Sequence, residues 1–304
     1  MKILLSFIIV TLLQSTVIAQ KTDKKLQGIL DTLVANYKGN IGVYIHNLSN
    51  NKIVTYNADT TFPTASIVKI PIMLGVINKI ERNELAYHQK FIYKDSLLYE
   101  GEDILGAYKN NEPIELSKLL LLMLTTSDNT ASLWLQSIAD GGVVINNLLD
   151  TLGFKNTKVN SRTKGREGYR NNYGWGQSTP KEMANILTAI YNKKIISPMA
   201  SNTMLRLLKR QYWDGEALAA LPATNNVFSK NGAVNASRSE VLLINSPNAN
   251  IVISIFTKNN VDISWESTNA AWVLTRKITN AVYNYYNPKN KYNMIAIGDM
   301  QKWY

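Results

Sequence analysis

Cysteine is absent from this 304-residue chain, and histidine occurs only twice. Without cysteine there is no disulfide framework, no thiol nucleophile, no cysteine-ligated metal and no lipid anchor attached through a cysteine. His46 lies in a strand beside an Asn-rich turn and His88 in a polar stretch, so a Ser-His-Asp triad and a zinc site both fit poorly. We expect no metal and no cofactor, and a lysine or a glutamate as the base.

Long hydrophobic runs are also missing, except at the start of the chain. The segment MKILLSFIIVTLLQSTVIAQ has a lysine, a mostly apolar stretch and small residues before Gln20, which is the pattern of a secretory signal peptide. The apolar stretch is short for a membrane span. We expect residues 1–19 to be cleaved, the protein to be periplasmic or secreted, and no stable membrane insertion after cleavage. An uncleaved anchor is the alternative.

The charges are unbalanced, with 33 basic and 22 acidic residues and a net charge of +11. A basic exported protein accumulates near anionic polymers of the cell envelope. The basic residues are scattered, and neither a zinc pattern nor an aromatic RNA-binding signature accompanies them, so we expect no nucleic-acid partner. We expect a monomer that acts on a small molecule.

Hydrophobic periodicity predicts an α/β fold of the α+β two-lobe kind. An antiparallel sheet lobe, built from both chain ends (about 20–60 and 210–286) and flanked by terminal helices, would hold an inserted all-helical lobe (about 61–209). Together they would form one domain over residues 20–286, followed by a tail, 287–304. Such a fold has its default binding site in the cleft between the lobes. The predicted helices lie at 24–37, 115–124, 130–139, 143–152 and 266–286, and the predicted strands at 41–57 (two), 227–230, 239–247 and 250–258.

Residues 154–178 are rich in glycine, asparagine and charge and have no clear period. The segment predicts a long loop, and long ordered loops are often functional. At its end Thr179 is placed to cap a helix, Pro180 suits the first helical position, and Glu182 would complete a capping box.

Four Ser-x-x-Lys matches occur, and at most one is expected to be catalytic. Only Ser66-x-x-Lys69 leads into an apolar helix, whereas the matches at Ser49, Ser161 and Ser178 do not. On a helix this spacing puts a hydroxyl and an amine within reach of each other, and a buried lysine can act as the base that a serine nucleophile needs. Pro71, just inside the helix, is expected to distort it.

Three further patterns each occur once. Ser127-Asp128-Asn129 lies between two buried helices, where Asp128 alone would also explain it as a helix cap. Lys230-x-Gly232 ends a predicted strand, so the lysine could present a cation to the cleft, or it could be an ordinary strand-end lysine beside a bulge. Glu167 and Asn171, four apart in the loop, could orient a water or could simply be solvated.

Arg238 lies on a predicted strand with few other charges. Arginine suits bidentate binding of a carboxylate, although an exposed edge charge is the simpler interpretation.

In this order the motifs resemble those of the penicillin-recognising serine enzymes, and of class A β-lactamases most closely. Ser66 to Ser127 is 61 residues and Ser127 to Lys230 is 103, and both spacings fit the family. NEPIELSKLLLLMLTTSDNTASLWL resembles the family's helix that leads into Ser-Asp-Asn. The resemblance covers roughly residues 24–286.

The resemblance implies that Ser66 attacks a β-lactam carbonyl, activated by Lys69 alone or together with Glu167. Ser127, assisted by Lys230, would protonate the leaving nitrogen. Glu167 would position the deacylating water. The remaining residues would bind substrate or water: Ala233 and Ser66 in the oxyanion hole, Asn129 at the substrate amide, Lys230, Asn231 and Arg238 at its carboxylate, Gly232 in close approach, and Asn171 beside Glu167.

Three departures from the family pattern concern substrate binding and deacylation. Asn231 stands where the family has Thr or Ser, and Gly168 stands where it has proline; the distance from Ser127 to Glu167 is also a few residues longer than usual. Three functions follow as hypotheses: a β-lactamase, a D-alanyl-D-alanine carboxypeptidase or related enzyme of peptidoglycan, and a non-catalytic binding protein. Glu167 favours the first, because D,D-peptidases generally lack that carboxylate.

Overall fold

The computed structural model describes residues 20–99, 103–209 and 211–294. The predicted signal segment 1–19 and residues 295–304 of the predicted tail lie outside the described residues. The helices are α1 (Lys24–Val34), α2 (Lys69–Glu81), α3 (Leu116–Thr125), α4 (Asn129–Ile138), α5 (Gly141–Thr151), α6 (Glu167–Tyr173), α7 (Pro180–Tyr191), α8 (Pro198–Leu208) and α9 (Ala270–Tyr286). The strands are β1 (Lys21–Thr22), β2 (Asn40–Asn47), β3 (Lys52–Tyr56), β4 (Phe62–Pro63), β5 (Lys90–Ile92), β6 (Pro113–Glu115), β7 (Lys158–Val159), β8 (Gly176–Ser178), β9 (Asn226–Val234), β10 (Ser237–Asn245) and β11 (Asn250–Lys258).

The main sheet joins the two ends of the chain. Its strand order is β1-β3-β2-β11-β10-β9, with β1 parallel to β3 and the other neighbours antiparallel. β9 pairs with β10 along its whole length, from Ser237–Val234 to Asn245–Asn226, and it forms one edge of the sheet. This arrangement confirms the predicted α+β fold with an antiparallel sheet.

Two hydrophobic cores lie on opposite faces of this sheet, because side chains alternate along each strand. Leu242 and Ile244 of β10 pack with α1 and α9, whereas Val241 and Leu243 pack with the helices of the middle segment. α2 crosses the core formed with the helices of the middle segment, and every residue from Lys69 to Ile77 is buried there. A helix that is buried on all sides can hold a polar side chain only where the chain supplies hydrogen-bond partners for it.

One local prediction needs correction, and one stays a prediction. The distortion expected at Pro71 stays a prediction: Pro71 is the third residue of α2, where a missing N–H costs little, and the helix continues to Glu81. The chain enters α2 through a 3₁₀ turn over Ala65–Val68. Thr179 caps α7 as predicted, but the Glu182 carboxylate bonds the backbone N–H and hydroxyl of Thr157 and not the cap residue.

The segment 154–178 contains more regular structure than its composition indicates. β7 and β8 pair within it, and α6 lies between them. The helix was not predicted because its seven residues, EGYRNNY, bury none of their side chains and therefore show no apolar period.

Within the described ranges, no helix combines the length and the apolar character that crossing a membrane requires.

Candidate active site

Ser66 lies in the 3₁₀ turn that precedes α2, at the boundary between the two lobes. The residue before it, Ala65, has a φ of +44°, a left-handed conformation that costs an alanine free energy. The Ser66 side chain remains partly accessible while Ile67 and Val68 are fully buried. The turn therefore holds the hydroxyl at the surface of the core at some cost in backbone strain.

The Lys69 ammonium is the centre of the polar cluster. Its Nζ lies 3.1 Å from Ser66 Oγ, 3.0 Å from Ser127 Oγ and 2.9 Å from Asn129 Oδ1. It also makes a short hydrogen bond to the carbonyl of Ser127. One nitrogen thus joins the predicted nucleophile to the second predicted hydroxyl.

Burial and charge both act on the acidity of this lysine. Lys69 is completely buried, and its desolvation, followed by the nearby Lys230 charge, places its pKa well below that of a free lysine. Asp103 and Asp128 oppose this shift more weakly. A neutral amine has a lone pair, and at 3.1 Å it can accept the Ser66 proton.

The turn between α3 and α4 presents Ser127. Its φ of +64° is again left-handed, and Asp128 follows as the N-cap of α4, accepting from Ala131 N at 2.7 Å and from Leu105 N at 2.8 Å. The cap interpretation of Asp128 is therefore confirmed. It does not compete with the functional one, because the cap fixes the strained turn that points Ser127 at Lys69.

Asp103 bonds to the same turn from a separate segment, and sequence reasoning missed it. Its carboxylate accepts from Asn129 N at 2.8 Å and from Thr130 N at 2.7 Å. Thr130 in turn accepts from Tyr99 N at 2.9 Å. Tyr99 and Asp103 are thereby attached to the turn. An isolated aspartate carries no motif, so the sequence offered no signal for it.

Edge strand β9 passes directly against Ser66. A Cβ at Gly232 would lie 2.7 Å from Thr64 O and 2.8 Å from Ser66 N, both of them backbone atoms. Only glycine permits this approach. It sets Ala233, the next residue of the edge strand, beside the serine backbone, where two N–H groups could face one oxyanion.

In the serine chemistry that the family resemblance implies, Gly232→Ala should lower the rate of acylation at Ser66 by about 10²–10³-fold, because the new methyl group must displace Ser66 N, and losing one oxyanion donor has this effect. Stopped-flow kinetics with a chromogenic β-lactam would measure it. Gly28→Ala is the matched control, since nothing lies within 4 Å of a Cβ there. Equal rates for wild type and Gly232→Ala would contradict the close approach.

Lys230 is completely buried, and its ammonium donates to Asn231 O at 2.9 Å and Asn231 Oδ1 at 3.1 Å. The structure gives it no hydrogen bond to Ser127. Burial lowers the pKa of Lys230 to about 7, and among its acidic neighbours the Glu216 charge opposes that fall most. Its charge nevertheless reaches Lys69, whose pKa it depresses.

Glu167 and Asn171 are not brought to this cluster. Both side chains are exposed on α6, and the Glu167 carboxylate accepts from Gly165 N at 3.1 Å. Backbone N–H groups of Glu167 itself and of Gly165 lower the pKa of this carboxyl. Asp103 and Asp128 are the acidic groups that influence Lys69, so the expectation of a Glu167 carboxylate in the crevice differs from the structure. Glu-x-x-x-Asn spacing alone does not determine which way a short polar helix faces.

Arg238 also lies away from the cluster. Its guanidinium donates to the carbonyls of Asn235 at 2.8 Å and Ser264 at 2.9 Å, and its carbon lies 4.5 Å and 4.9 Å from the ring centres of Trp265 and Trp272. The side chain is buried in these contacts. The interpretation of Arg238 as a free cation for a substrate carboxylate is therefore corrected: it anchors the segment after β11.

Among the described residues, no group of three or more His, Asp or Glu side chains is arranged to hold a metal ion.

A two-lobe fold with a serine and a lysine at the lobe boundary defines a serine hydrolase of the penicillin-recognising kind. A family model described as "Beta-lactamase enzyme family" matches residues 23–286, and the chain belongs to that family. Beta-lactamases are also found among its relatives by sequence and among the solved structures that share its fold.

The relatives are distant but span most of both chains. Beta-lactamase VEB-1 of Pseudomonas aeruginosa is 23% identical over 258 residues, covering 81% of this chain and 85% of its own. A class A β-lactamase from Bacteroides cellulosilyticus has a TM-score of 0.77 at 20% identity, covering 89% of this chain and 100% of its own. PBP-A has a TM-score of 0.78 at 20% identity, covering 88% of this chain and 98% of its own. These structural likenesses concern the fold.

Proposed function

We propose that this protein opens β-lactam rings through an acyl-enzyme formed on Ser66. The observation that carries the proposal is the Lys69 amine, which lies 3.1 Å from one hydroxyl and 3.0 Å from the other. Two serine hydroxyls joined by one lysine of lowered pKa suit the transfer of a proton from an attacking oxygen to a leaving nitrogen.

The proposed chemistry balances as follows. Ser66 Oγ forms an ester with the lactam carbonyl carbon while its proton passes to the neutral Lys69. The C–N bond of the ring breaks, and Ser127 Oγ gives its proton to the leaving nitrogen and recovers one from Lys69. Ser66 N and Ala233 N stabilise the oxyanion. Asn129, partly exposed beside Lys69, is available to a substrate amide, and Lys230 supplies positive charge behind Ser127.

Hydrolysis of the acyl-enzyme has weaker support. Water must attack the ester and return a proton to Ser66, which calls for a base on the water. Glu167 is exposed and bonded to its own loop, so we assign it no part in that step. This supports a second candidate function, a D-alanyl-D-alanine carboxypeptidase or related penicillin-binding enzyme of peptidoglycan, in which a β-lactam would leave a long-lived adduct.

Mixing the protein with a penicillin and following its intact mass separates the candidates. A transient adduct on Ser66 with released penicilloate supports the β-lactamase. A persistent adduct, together with release of D-alanine from a D-Ala-D-Ala peptide, supports the carboxypeptidase. Absence of any adduct contradicts both.

In the same experiment, Glu167→Gln should leave the lifetime of the Ser66 adduct unchanged, because the carboxylate is at the surface and is bonded by backbone N–H groups of its own loop, at Glu167 and Gly165. Glu81→Gln, at an exposed glutamate of α2, is the matched control. A much longer adduct lifetime in Glu167→Gln alone would show that α6 turns inward during turnover and would restore Glu167 as the base.

We also propose export of the protein to the periplasm or medium, supported by the signal-like residues 1–19. N-terminal sequencing of the protein recovered from a bacterial host, with Gln20 as the expected first residue, tests this.

A further inference from the structure

A polar network wraps around edge strand β9 behind Lys230, and the chemistry described above does not use it. Asn231 is its hub: its Oδ1 accepts from Lys230 Nζ at 3.1 Å, and its Nδ2 donates to Glu216 Oε2 at 3.2 Å. The amide group of Gln211 lies 2.6 Å from Asn231 Oδ1. One asparagine thus connects the buried ammonium to a carboxylate that no motif predicted.

A second carboxylate, Glu240, lies opposite Asn231 in the β9–β10 register. It is 1% exposed, its Oε2 accepts from Ala217 N at 2.9 Å, and its Oε1 has no hydrogen-bond partner. An ionised carboxylate in that setting would be costly. Burial, and next the Glu216 charge, raise the pKa of Glu240 to about 8, so it holds its proton at neutral pH.

Glu216 has the better-solvated position of the two. Its side chain is partly accessible, and it accepts from Asn231, whereas Glu240 has an oxygen with no partner. Arg276 of α9 donates to the carbonyl of Gly215 at 2.9 Å and adds positive charge beside both acids. The charged groups around Lys230 are therefore Glu216 before β9, Glu240 on β10, Arg276 on α9 and Lys69 on α2. Burial raises the pKa of Glu216 as well, but the Asn231 hydrogen bond and the Lys230 and Arg276 charges oppose that rise, so Glu216 is the better placed of the two carboxylates to carry the negative charge.

We propose that Glu216 is a positioning residue for Lys230: its carboxylate holds the Asn231 amide, whose oxygen receives the Lys230 ammonium, and its charge keeps that ammonium protonated. The role of Glu216 rests on the proposed function only because that function uses the positive charge of Lys230. It also explains why an asparagine occupies position 231. Asn231 accepts from the lysine through Oδ1 and donates to the carboxylate through Nδ2. A Thr or Ser hydroxyl has a single oxygen and could not serve both partners through two separate atoms.

The consequence has a definite sign. A neighbouring negative charge favours the protonated form of a lysine. Removing the Glu216 charge therefore lets Lys230 lose its proton at a lower pH than the value of about 7 in the native protein. Glu240 is already neutral at that pH, so Glu240→Gln should change the Lys230 titration much less. The two glutamates act as each other's controls.

The experiment is a carbon-13 NMR titration of the lysine ε-carbons in the full-length protein, which requires no substrate. The Lys230 signal is assigned by its loss in Lys230→Arg. We expect the midpoint to fall by about one unit in Glu216→Gln, to lie between those of Glu216→Gln and wild type in Glu216→Asp, and to change little in Glu240→Gln and in the exposed control Glu266→Gln. If Glu216→Gln does not fold, Asn231→Ser, which removes the amide link, should lower the midpoint as well.

The pH profile of acylation by a penicillin gives the functional readout. Its alkaline limb should move to lower pH in Glu216→Gln and return towards the wild-type position in Glu216→Asp. An unchanged Lys230 midpoint in both Glu216→Gln and Asn231→Ser, or a larger shift in Glu240→Gln than in Glu216→Gln, would overturn the proposal. A normal titration in a protein that no penicillin acylates would instead refute the proposed function alone.

Discussion

Ser66→Ala should abolish acylation by penicillin and lower kcat/KM for a chromogenic cephalosporin by at least about 10³-fold. The reason is geometric: Ser66 is partly accessible and its Oγ lies 3.1 Å from the Lys69 amine. Ser127 lies 3.0 Å from the same amine, but Gly232 brings the backbone of β9 against the backbone of Ser66, where the proposed oxyanion donors lie. Intact mass after incubation with penicillin should show no covalent adduct.

Ser49→Ala is the matched control for this prediction. Ser49 has the same Ser-x-x-Lys spacing, but it lies exposed in a turn, where its hydroxyl accepts from Asn250 N at 3.0 Å. We expect it to keep wild-type turnover. Turnover retained by Ser66→Ala, or an adduct mapped by peptide mass to another serine, would remove Ser66 from the nucleophile's role.

The placement of Ser66 and Ser127 was predictable because buried neighbours determined it. The apolar sequence after Lys69 forces α2 into the core, so the polar residues at its start must lie at the core's edge. Asp128 could be recognised as a cap, and the cap fixes the turn that carries Ser127. The strands of the C-terminal third were predictable from short runs of β-branched and other apolar residues, because β10 and β11 are buried on both faces.

Glu167 and Arg238 show where such reasoning ends. α6 buries none of its residues, so no hydrophobic face in the sequence specifies which way Glu167 points. Arg238 has its position on β10 correctly predicted, but the two tryptophans that enclose its guanidinium come from a distant segment, and no local pattern connects them to it. Position along an element is encoded locally, whereas the partner of a long charged side chain is set by tertiary packing.

Lys69→Met should lower the rate of acylation by about 10²–10⁴-fold, the usual effect of losing a well-placed base. Methionine keeps much of the volume of lysine in a fully buried position but can neither accept the Ser66 proton nor relay one to Ser127. Single-turnover acylation, measured by rapid quench and mass, isolates this step from hydrolysis. Circular dichroism should show that the variant is folded.

The pH dependence distinguishes a base from a residue that merely packs. Burial and the Lys230 charge lower the pKa of Lys69, so its amine is neutral above that lowered value and protonated below it. Wild-type acylation should therefore fall as the pH falls through the Lys69 pKa, and Lys69→Met should lack this acidic limb. Lys79→Met is the matched control in the same helix, because Lys79 forms a surface ion pair with Asp140 at 2.6 Å. This variant should keep both the wild-type rate of acylation and the acidic limb of its pH profile. An acidic limb that persists unchanged in Lys69→Met would assign the proton transfer to a different group.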